Sequence, residues 1–314
     1  MLAGSCLVVA QMGGVTLGQG EGNNWAFCWT TFRQNATSSP IDGSLIQVYS
    51  YRRPTKLPDC YEHEREEDME DNGWLRLLAN ARQIFVLFSG GKDSCAALAY
   101  SKELVEGIEP KPSLVALHVD TTVSLPTSED FVKEFCTQLG VPLKTVKPET
   151  DYFTLALKWG VPRPRARWCC FHLKIKPLKD YLKGFSNYVV LDGMRREESR
   201  KRSSYPRTYE HPHFGLVIHP IIEWTQEQVD AYLESLGLPL NPAYEFGFSS
   251  WECWCGVFKR KSEFEQLKKV DPKFFAKLVK LEDSLTSGYA YAYFNGKPFY
   301  LRELLEEKEE VCEI

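Results

Sequence analysis

The 314-residue chain has no apolar run near the roughly 18 residues that a membrane-spanning helix needs, and nothing in it reads as a transmembrane segment. It has no large charge imbalance: the net charge is −4. That removes any global pull toward nucleic acid or anionic membrane and leaves basic stretches to be judged one by one. A basic n-region is missing from MLAGSCLVVAQMGG, so the start reads as a first β-strand rather than a leader or lipid anchor. A cytoplasmic protein is expected. A disulfide framework is missing too, although cysteine is abundant, with 10 residues. The chain is too long and the spacings too uneven for a small cross-linked fold.

What is present is organised around residues 84–94, IFVLFSGGKDS. A short apolar strand runs into Ser89-Gly90-Gly91-Lys92-Asp93-Ser94, and an alanine-rich helical run follows. The loop follows neither the Walker spacing nor G-x-G-x-x-G. Adjacent glycines still permit positive φ and close approach to an anion, and the helix start offers free N–H groups and a positive dipole end. Lys92 adds a mobile cation, while Asp93 and Ser94 supply N-cap oxygens or Mg²⁺ ligands.

Residues 1–60 read as a few short strands, among them 25–32 and 45–51, and 61–72 is a solvated charge run. From residue 74 onward helices and strands alternate, which predicts an α/β fold: a Rossmann-like α/β/α sandwich with a mainly parallel sheet. Strands are expected at 84–88, 114–119, 143–146 and 188–191, with ligands beyond their carboxyl ends. Asp120 and Thr121 fall at that edge, where Asp120 would accept from a ribose hydroxyl or adenine amino group, or cap a turn. Gly193, Arg195 and Arg196 follow the 188–191 strand in GMRREESRKR; arginine forks match phosphate or sulfate oxygens. The same run also suits a charged helix start with internal Glu–Arg pairs. Thr225 and Gln228 form a capping box for a helix ended by Gly237. Residues 261–285 are helical, and 288–300 form a hairpin about Asn295-Gly296.

Two local cysteine clusters stand out, Cys169-Cys170 within RPRARWCCFHLKIKPL and Cys253-Trp254-Cys255 within a proline- and aromatic-rich loop. Four thiols in two pairs suit tetrahedral zinc or a 4Fe–4S cluster. Adjacent helical cysteines diverge too far to share one ion comfortably, which favours the larger group. With the second pair so closely spaced, Cys170 or Cys255 is a candidate to stand off, leaving an open iron able to hold a sulfide.

SGGKDS resembles the PP-loop of the adenine-nucleotide α-hydrolase superfamily. With VDTT at 119–122, RWCCFHLKIKPL at 167–178, GMRREESRKR at 193–202 and PIIEWTQEQVDAYL at 220–233, residues 80–265 resemble the phosphoadenosine phosphosulfate (PAPS) reductase family, especially its archaeal-type members. Three parts are expected: a β-rich appendage at 1–70, outside the resemblance and with no assigned role, a nucleotide-binding domain at 71–265 that carries the resemblance, and a helical and hairpin extension with an acidic tail at 266–314. It implies an iron–sulfur cluster on the tandem and later cysteine pairs. The chain departs from the family in two places. Its loop keeps the Lys and Asp typical of members that cleave ATP, and Gly256 occupies the position where C-x-x-C would place the second thiol.

Two chemistries follow from the resemblance. In one, ATP with Mg²⁺ is cleaved to AMP and pyrophosphate, AMP activates a carbonyl oxygen on tRNA or another acceptor, and sulfur from a donor protein displaces it. In the other, the enzyme reduces a sulfonucleotide (PAPS or APS): a C-terminal cysteine, here Cys312, attacks the sulfate sulfur and a thioredoxin-like partner releases the product. The acidic neighbours of Cys312 would blunt its thiolate. The intact loop favours ATP. A nucleotide-binding redox-sensing module is a third reading.

Overall fold

The computed structural model describes residues 5–11, 40–41, 44–52, 73–250, 252–285 and 289–306. The run at 25–32, the charge run at 61–72 and Cys312 lie outside them. Three strands, β1 (Ser5–Gln11), β2 (Pro40–Ile41) and β3 (Ser44–Arg52), form an antiparallel sheet in the order β1-β3-β2.

Helix α1 (Gly73–Asn80) leads into β4 (Gln83–Leu87), α2 (Lys92–Glu106), β5 (Ser113–Val119), α3 (Thr127–Leu139) and β6 (Leu143–Val146). Then come α4 (Tyr152–Trp159), a π-helical turn at Cys170–Ile175 that runs into α5 (Lys176–Leu182), and β7 (Tyr188–Leu191). A hairpin, β8 (Thr208–His211) and β9 (Gly215–Ile218), precedes α6 (Gln226–Leu236). The chain continues through α7 (Lys261–Val270), α8 (Pro272–Ser284), the hairpin β10 (Ala292–Phe294) and β11 (Lys297–Phe299), and α9 (Glu303–Glu306).

The main sheet has six strands in the order β6-β5-β4-β7-β9-β8, parallel except for β8 against β9. Because side chains alternate along a strand, Ile84 and Val86 of β4 pack with α1, α2, α3 and α6 on one face. Phe85 packs with Leu178 and Leu182 of α5 on the other. The expected α/β/α sandwich is the observed fold. The chain winds outward from β4 to β6 and then crosses to β7 on the opposite side of β4, so strand order reverses between β4 and β7. That is where open α/β sheets leave a crevice at the carboxyl ends of their strands.

Thr225 caps α6 through a capping box with Gln228, and Gly237 ends it in the left-handed conformation. Asn295 and Gly296, at φ 51° and 78°, make the β10–β11 turn. The helical stretch at 261–285 divides in two: Asp271 accepts from the Phe274 amide as the cap of α8, and Pro272 starts it. Proline lacks the N–H needed to continue a helix but suits its first turn. A second core joins Tyr152, Cys169, Trp254 and Cys255 to Phe264, Phe275 and Tyr291, so α7, α8 and the β10–β11 hairpin share packing with the cysteine segments.

Candidate functional site

The SGGKDS turn joins β4 to α2 at the reversal point. Gly90 adopts φ 77°, and a Cβ there would sit 3.2 Å from Phe131 and 3.3 Å from Val132. Gly91 is the extended N-cap of α2, with no side-chain cap bond. Neither Asp93 nor Ser94 caps the helix. Ser94 folds back, its Oγ donating to the Gly91 carbonyl at 2.8 Å and lying 3.1 Å from Ser89 Oγ, which stitches the loop together. The first amides of an α-helix lack intrahelical acceptors. The Lys92 amide donates to Tyr244 Oη at 3.0 Å, and those of Asp93 and Ser94 complete the first-turn donor set.

Asp93 is instead held by Arg195, whose Nε donates to Asp93 Oδ1 at 2.7 Å. Arg195 is buried at 3 % exposure, and its other donors reach Glu197 at 2.9 Å, the Trp224 carbonyl at 3.2 Å and Gln226 at 2.7 Å. Burial pushes the Asp93 carboxyl up from its ordinary value, and Arg195 pulls it back. Gly193 explains how the two segments meet: a Cβ there would lie 2.6 Å from the Asp93 carbonyl oxygen. The end of β7 therefore rests directly on the backbone of the loop. Arg196 is more exposed, bonding the Tyr205 carbonyl at 3.0 Å and pairing with Glu223.

Lys92 Nζ lies 2.8 Å from Asp230 of α6 and 5.3 Å from the centre of the Tyr244 ring. Asn241 Nδ2 donates to the Gly90 carbonyl at 2.9 Å. The sequence alone does not mark Asn241, Tyr244 and Asp230 as partners of the loop, because only the fold brings their segments to it. Thr121 at the end of β5 is buried, its Oγ1 3.0 Å from Ser124 Oγ. Asp120 accepts from the Thr122 amide at 2.8 Å and pairs with Lys147 at 2.7 Å. Burial acts to raise the Asp120 carboxyl, but Lys147 and the Thr122 amide together hold it below its ordinary value. A cleft of about 190 Å³ opens here, lined by His118, Asp120, Thr122, Ser124, Leu125 and Ser128 among others. The buried Ser128 Oγ has no partner in it.

The two cysteine clusters, distant in sequence, meet in one place. Cys169 Sγ lies 3.8 Å from Cys255 Sγ. A hydrogen bond from the Cys169 thiol draws Cys170 down to about 7 and leaves Cys169 pushed up to about 12. Cys169 and Cys255 are buried, while Cys170 and Cys253 are partly exposed. The backbone around them is irregular: Cys170 opens the π-helical turn, and Cys253 has φ 57°. Gly256, where C-x-x-C would place a thiol, has φ 87°, and a Cβ there would meet the Tyr291 carbonyl at 2.6 Å. No side chain fits that position, which gives a physical reason for the shortened pair. Among the described residues, no three His, Cys, Asp or Glu side chains are already gathered as a metal site. The donor chemistry nevertheless suits a thiol-ligated group: Cys169 and Cys255 meet at 3.8 Å, Cys170 and Cys253 flank them in sequence, and the Lys174 cation lies 3.5 Å from Glu252.

One polar chain links the halves. His118 Nδ1 lies 2.8 Å from the carbonyl of Phe88, just before the loop, and 3.6 Å from Glu252, which in turn lies 3.5 Å from Lys174. The segment from Asn241 to Cys255 likewise touches the loop at one end and carries two thiols at the other.

Residues 83–256, more than half of the chain, match the phosphoadenosine phosphosulfate reductase domain. The chain belongs to the phosphoadenosine phosphosulfate reductase family. An uncharacterized protein from Methanocaldococcus jannaschii is 28% identical over 232 residues, 71% of this chain and 55% of its own length. Another from that organism is 26% identical over 201 residues, 62% of this chain and 40% of its own length. These agree with the archaeal-type resemblance, and the chain spans about half the length of these curated relatives. The adenosine 5'-phosphosulfate reductase of Salinibacter ruber is 26% identical over 146 residues, covering 46% of this chain and 57% of its own. Among solved structures, the PAPS reductase from Candida auris in a phosphate complex shares 18% identity with a TM-score of 0.45, over 62% of this chain and 98% of that one. The U34-tRNA thiolase NcsA from Methanococcus maripaludis, with its 4Fe–4S cluster, shares 18% identity with a TM-score of 0.43, over 80% of this chain and 84% of that one. No helix among the described residues is long and apolar enough to cross a membrane.

Proposed function

We propose that this family member binds ATP across the carboxyl ends of β4, β5 and β7 and cleaves it between the α and β phosphates to drive sulfur transfer. The observation that carries the reading is the loop itself: an intact lysine, Lys92, beside the first-turn amides of α2 at the point where strand order reverses. On ATP binding Lys92 exchanges Asp230 for phosphate oxygens. An acceptor oxygen attacks the α-phosphorus and the bond to pyrophosphate breaks, leaving AMP on the acceptor. A sulfur nucleophile then forms its bond to the acceptor carbon, and AMP leaves with the oxygen. Lys92, the α2 amides and the Mg²⁺ carried by ATP offset the developing charge. Arg195 acts indirectly, by fixing Asp93 against the loop. The cleft beside Asp120 and Thr121 suits the nucleoside.

Cys169, Cys253 and Cys255, with Cys170 at the exposed edge, would hold a 4Fe–4S cluster, which supplies a site for inorganic sulfide. The second reading, reduction of APS or PAPS with Cys312 as nucleophile and a thioredoxin-like reductant, is favoured by the names of curated relatives such as the Salinibacter ruber protein.

One assay separates these readings. The anaerobically purified chain is incubated in turn with ATP–Mg²⁺, tRNA as acceptor and sulfide, and with APS or PAPS and a dithiol reductant. Pyrophosphate release from ATP is expected. Sulfite release from a sulfonucleotide without ATP cleavage would replace the proposal with the reductase, and nucleotide binding without turnover would leave a sensing module. A brown, iron-containing sample is expected; a colourless zinc protein would remove the cluster.

A further inference from the structure

Most cations near the sheet edge are paired: Lys92 with Asp230, Lys147 with Asp120, Arg195 with Asp93. The hairpin that leads into the tandem cysteines is different. Arg163 and Ala166 bridge each other, and this tight turn exposes Arg163, Arg165 and Arg167. None of these, nor the neighbouring Lys158, has an ion-pair partner among the described residues. In a chain with net charge −4, such a concentration of unpaired positive charge is a local exception.

Arg163, Arg167 and Lys158 lie on aromatic rings. The Arg163 guanidinium is 4.5 Å from the Tyr293 ring centre and 5.3 Å from that of Tyr289; Arg167 is 5.5 Å from that of Phe258, and Lys158 5.9 Å from that of Trp159. Three rings here are open to solvent: Phe258 at 62 %, Trp159 at 42 % and Phe171 at 40 %. Trp159, His172 and Phe171 follow one another at centroid spacings of 4.8 and 5.3 Å. The surface adjoins the thiols directly. The Cys170 amide donates to the Arg167 carbonyl at 3.2 Å, Phe171 follows Cys170, and Phe258 lies three positions after Cys255.

Oriented cations interleaved with exposed rings are what a single-stranded nucleic acid needs, phosphates on the guanidinium groups and unpaired bases on the ring faces. An acidic peptide would use the charges but leave the rings idle, and a duplex has its bases already stacked. We propose that this knuckle docks an unpaired stretch of nucleic acid beside the cysteine cluster. Its role as the face that presents the sulfur acceptor rests on the sulfur-transfer reading; its role as a binding surface does not.

The test is fluorescence anisotropy of the full chain with a labelled single strand of about 20 nucleotides, a matched duplex, and polyglutamate, between about 50 and 200 mM salt. With about 0.7 counterions released per phosphate contacted on a single strand, three arginines give a log–log salt slope near −2. Arg165→Ala/Arg167→Ala is expected to weaken binding at least about tenfold and to flatten the slope by about 1.4, with an unchanged melting temperature. Trp159→Ala/Phe258→Ala is expected to weaken the single strand more than the duplex. Absent binding, indifference to both double variants, or equal affinity for polyglutamate would overturn the proposal. Pyrophosphate release, measured on the same samples, keeps the two readings apart. Binding without ATP cleavage supports the surface and removes the sulfur-transfer reading, whereas cleavage without binding removes the surface alone.

Discussion

The loop side and the thiol side of the site are built by different means. The loop side is regular: β4 enters, α2 leaves, and the candidate groups are backbone amides and one lysine on a strand–helix joint. The thiol side is irregular: a π-helical turn, a cysteine at φ 57° and a glycine at φ 87° shape the two cysteine segments that meet where Cys169 lies 3.8 Å from Cys255. A backbone-built site tolerates sequence change around it as long as the glycines remain. A side-chain-built site depends on every segment that positions it.

The comparison can be broken most severely at Lys92. Lys92→Ala removes the mobile cation while leaving the fold, and kcat/KM for ATP cleavage should fall by about 100-fold or more; an unchanged rate would mean that the amides suffice. Two glycine substitutions then separate the sides. Gly193→Ala puts a methyl 2.6 Å from the Asp93 carbonyl, and Gly256→Ala puts one 2.6 Å from the Tyr291 carbonyl at a positive φ. Each should lose about 3 kcal/mol in urea unfolding. Gly193→Ala should weaken nucleotide binding with iron content retained, and Gly256→Ala should do the reverse. Equal losses of both would mean that the halves do not behave separately.

Smaller effects sharpen the picture. Tyr244→Phe removes the acceptor for the Lys92 amide and should cost about 1 kcal/mol, read as weaker ATP binding by calorimetry. Asp120 sits below its ordinary value of 3.8 in the folded chain. Its contribution to stability is therefore complete above that pH and is lost as pH falls through the folded value. Lys147→Met should flatten the acid limb of the stability curve below about pH 4, by less than about 1 kcal/mol because Lys147 is largely exposed. An identical acid limb in the variant would show that Lys147 does not hold the carboxylate down.

The difference between the sides also explains what the sequence made legible. Strands at 84–88, 114–119, 143–146 and 188–191 differ from the observed ones by at most a residue at either end, because buried parallel strands read as short apolar runs. Local chemistry marked the α6 cap and the Asn295-Gly296 turn. The short helix α4 and the β8–β9 hairpin escaped, since neither carries a strong period or a two-residue turn signal. At the site, local residues were legible and their partners were not. Arg195 reads as a phosphate fork in sequence, and the fold adds a partner that the sequence does not mark: its Nε donates to Asp93, 102 positions away. The same long-range geometry hides Asn241, Tyr244 and Asp230.

The segment from Asn241 to Cys255 has one further consequence. It grips the Gly90 carbonyl and the Lys92 amide at one end and delivers two thiols at the other. On the sulfur-transfer reading this segment would join the two binding sites. Any factor by which nucleotide binding changed the affinity of the thiols for their group would be returned in equal measure by loading of that group on the nucleotide.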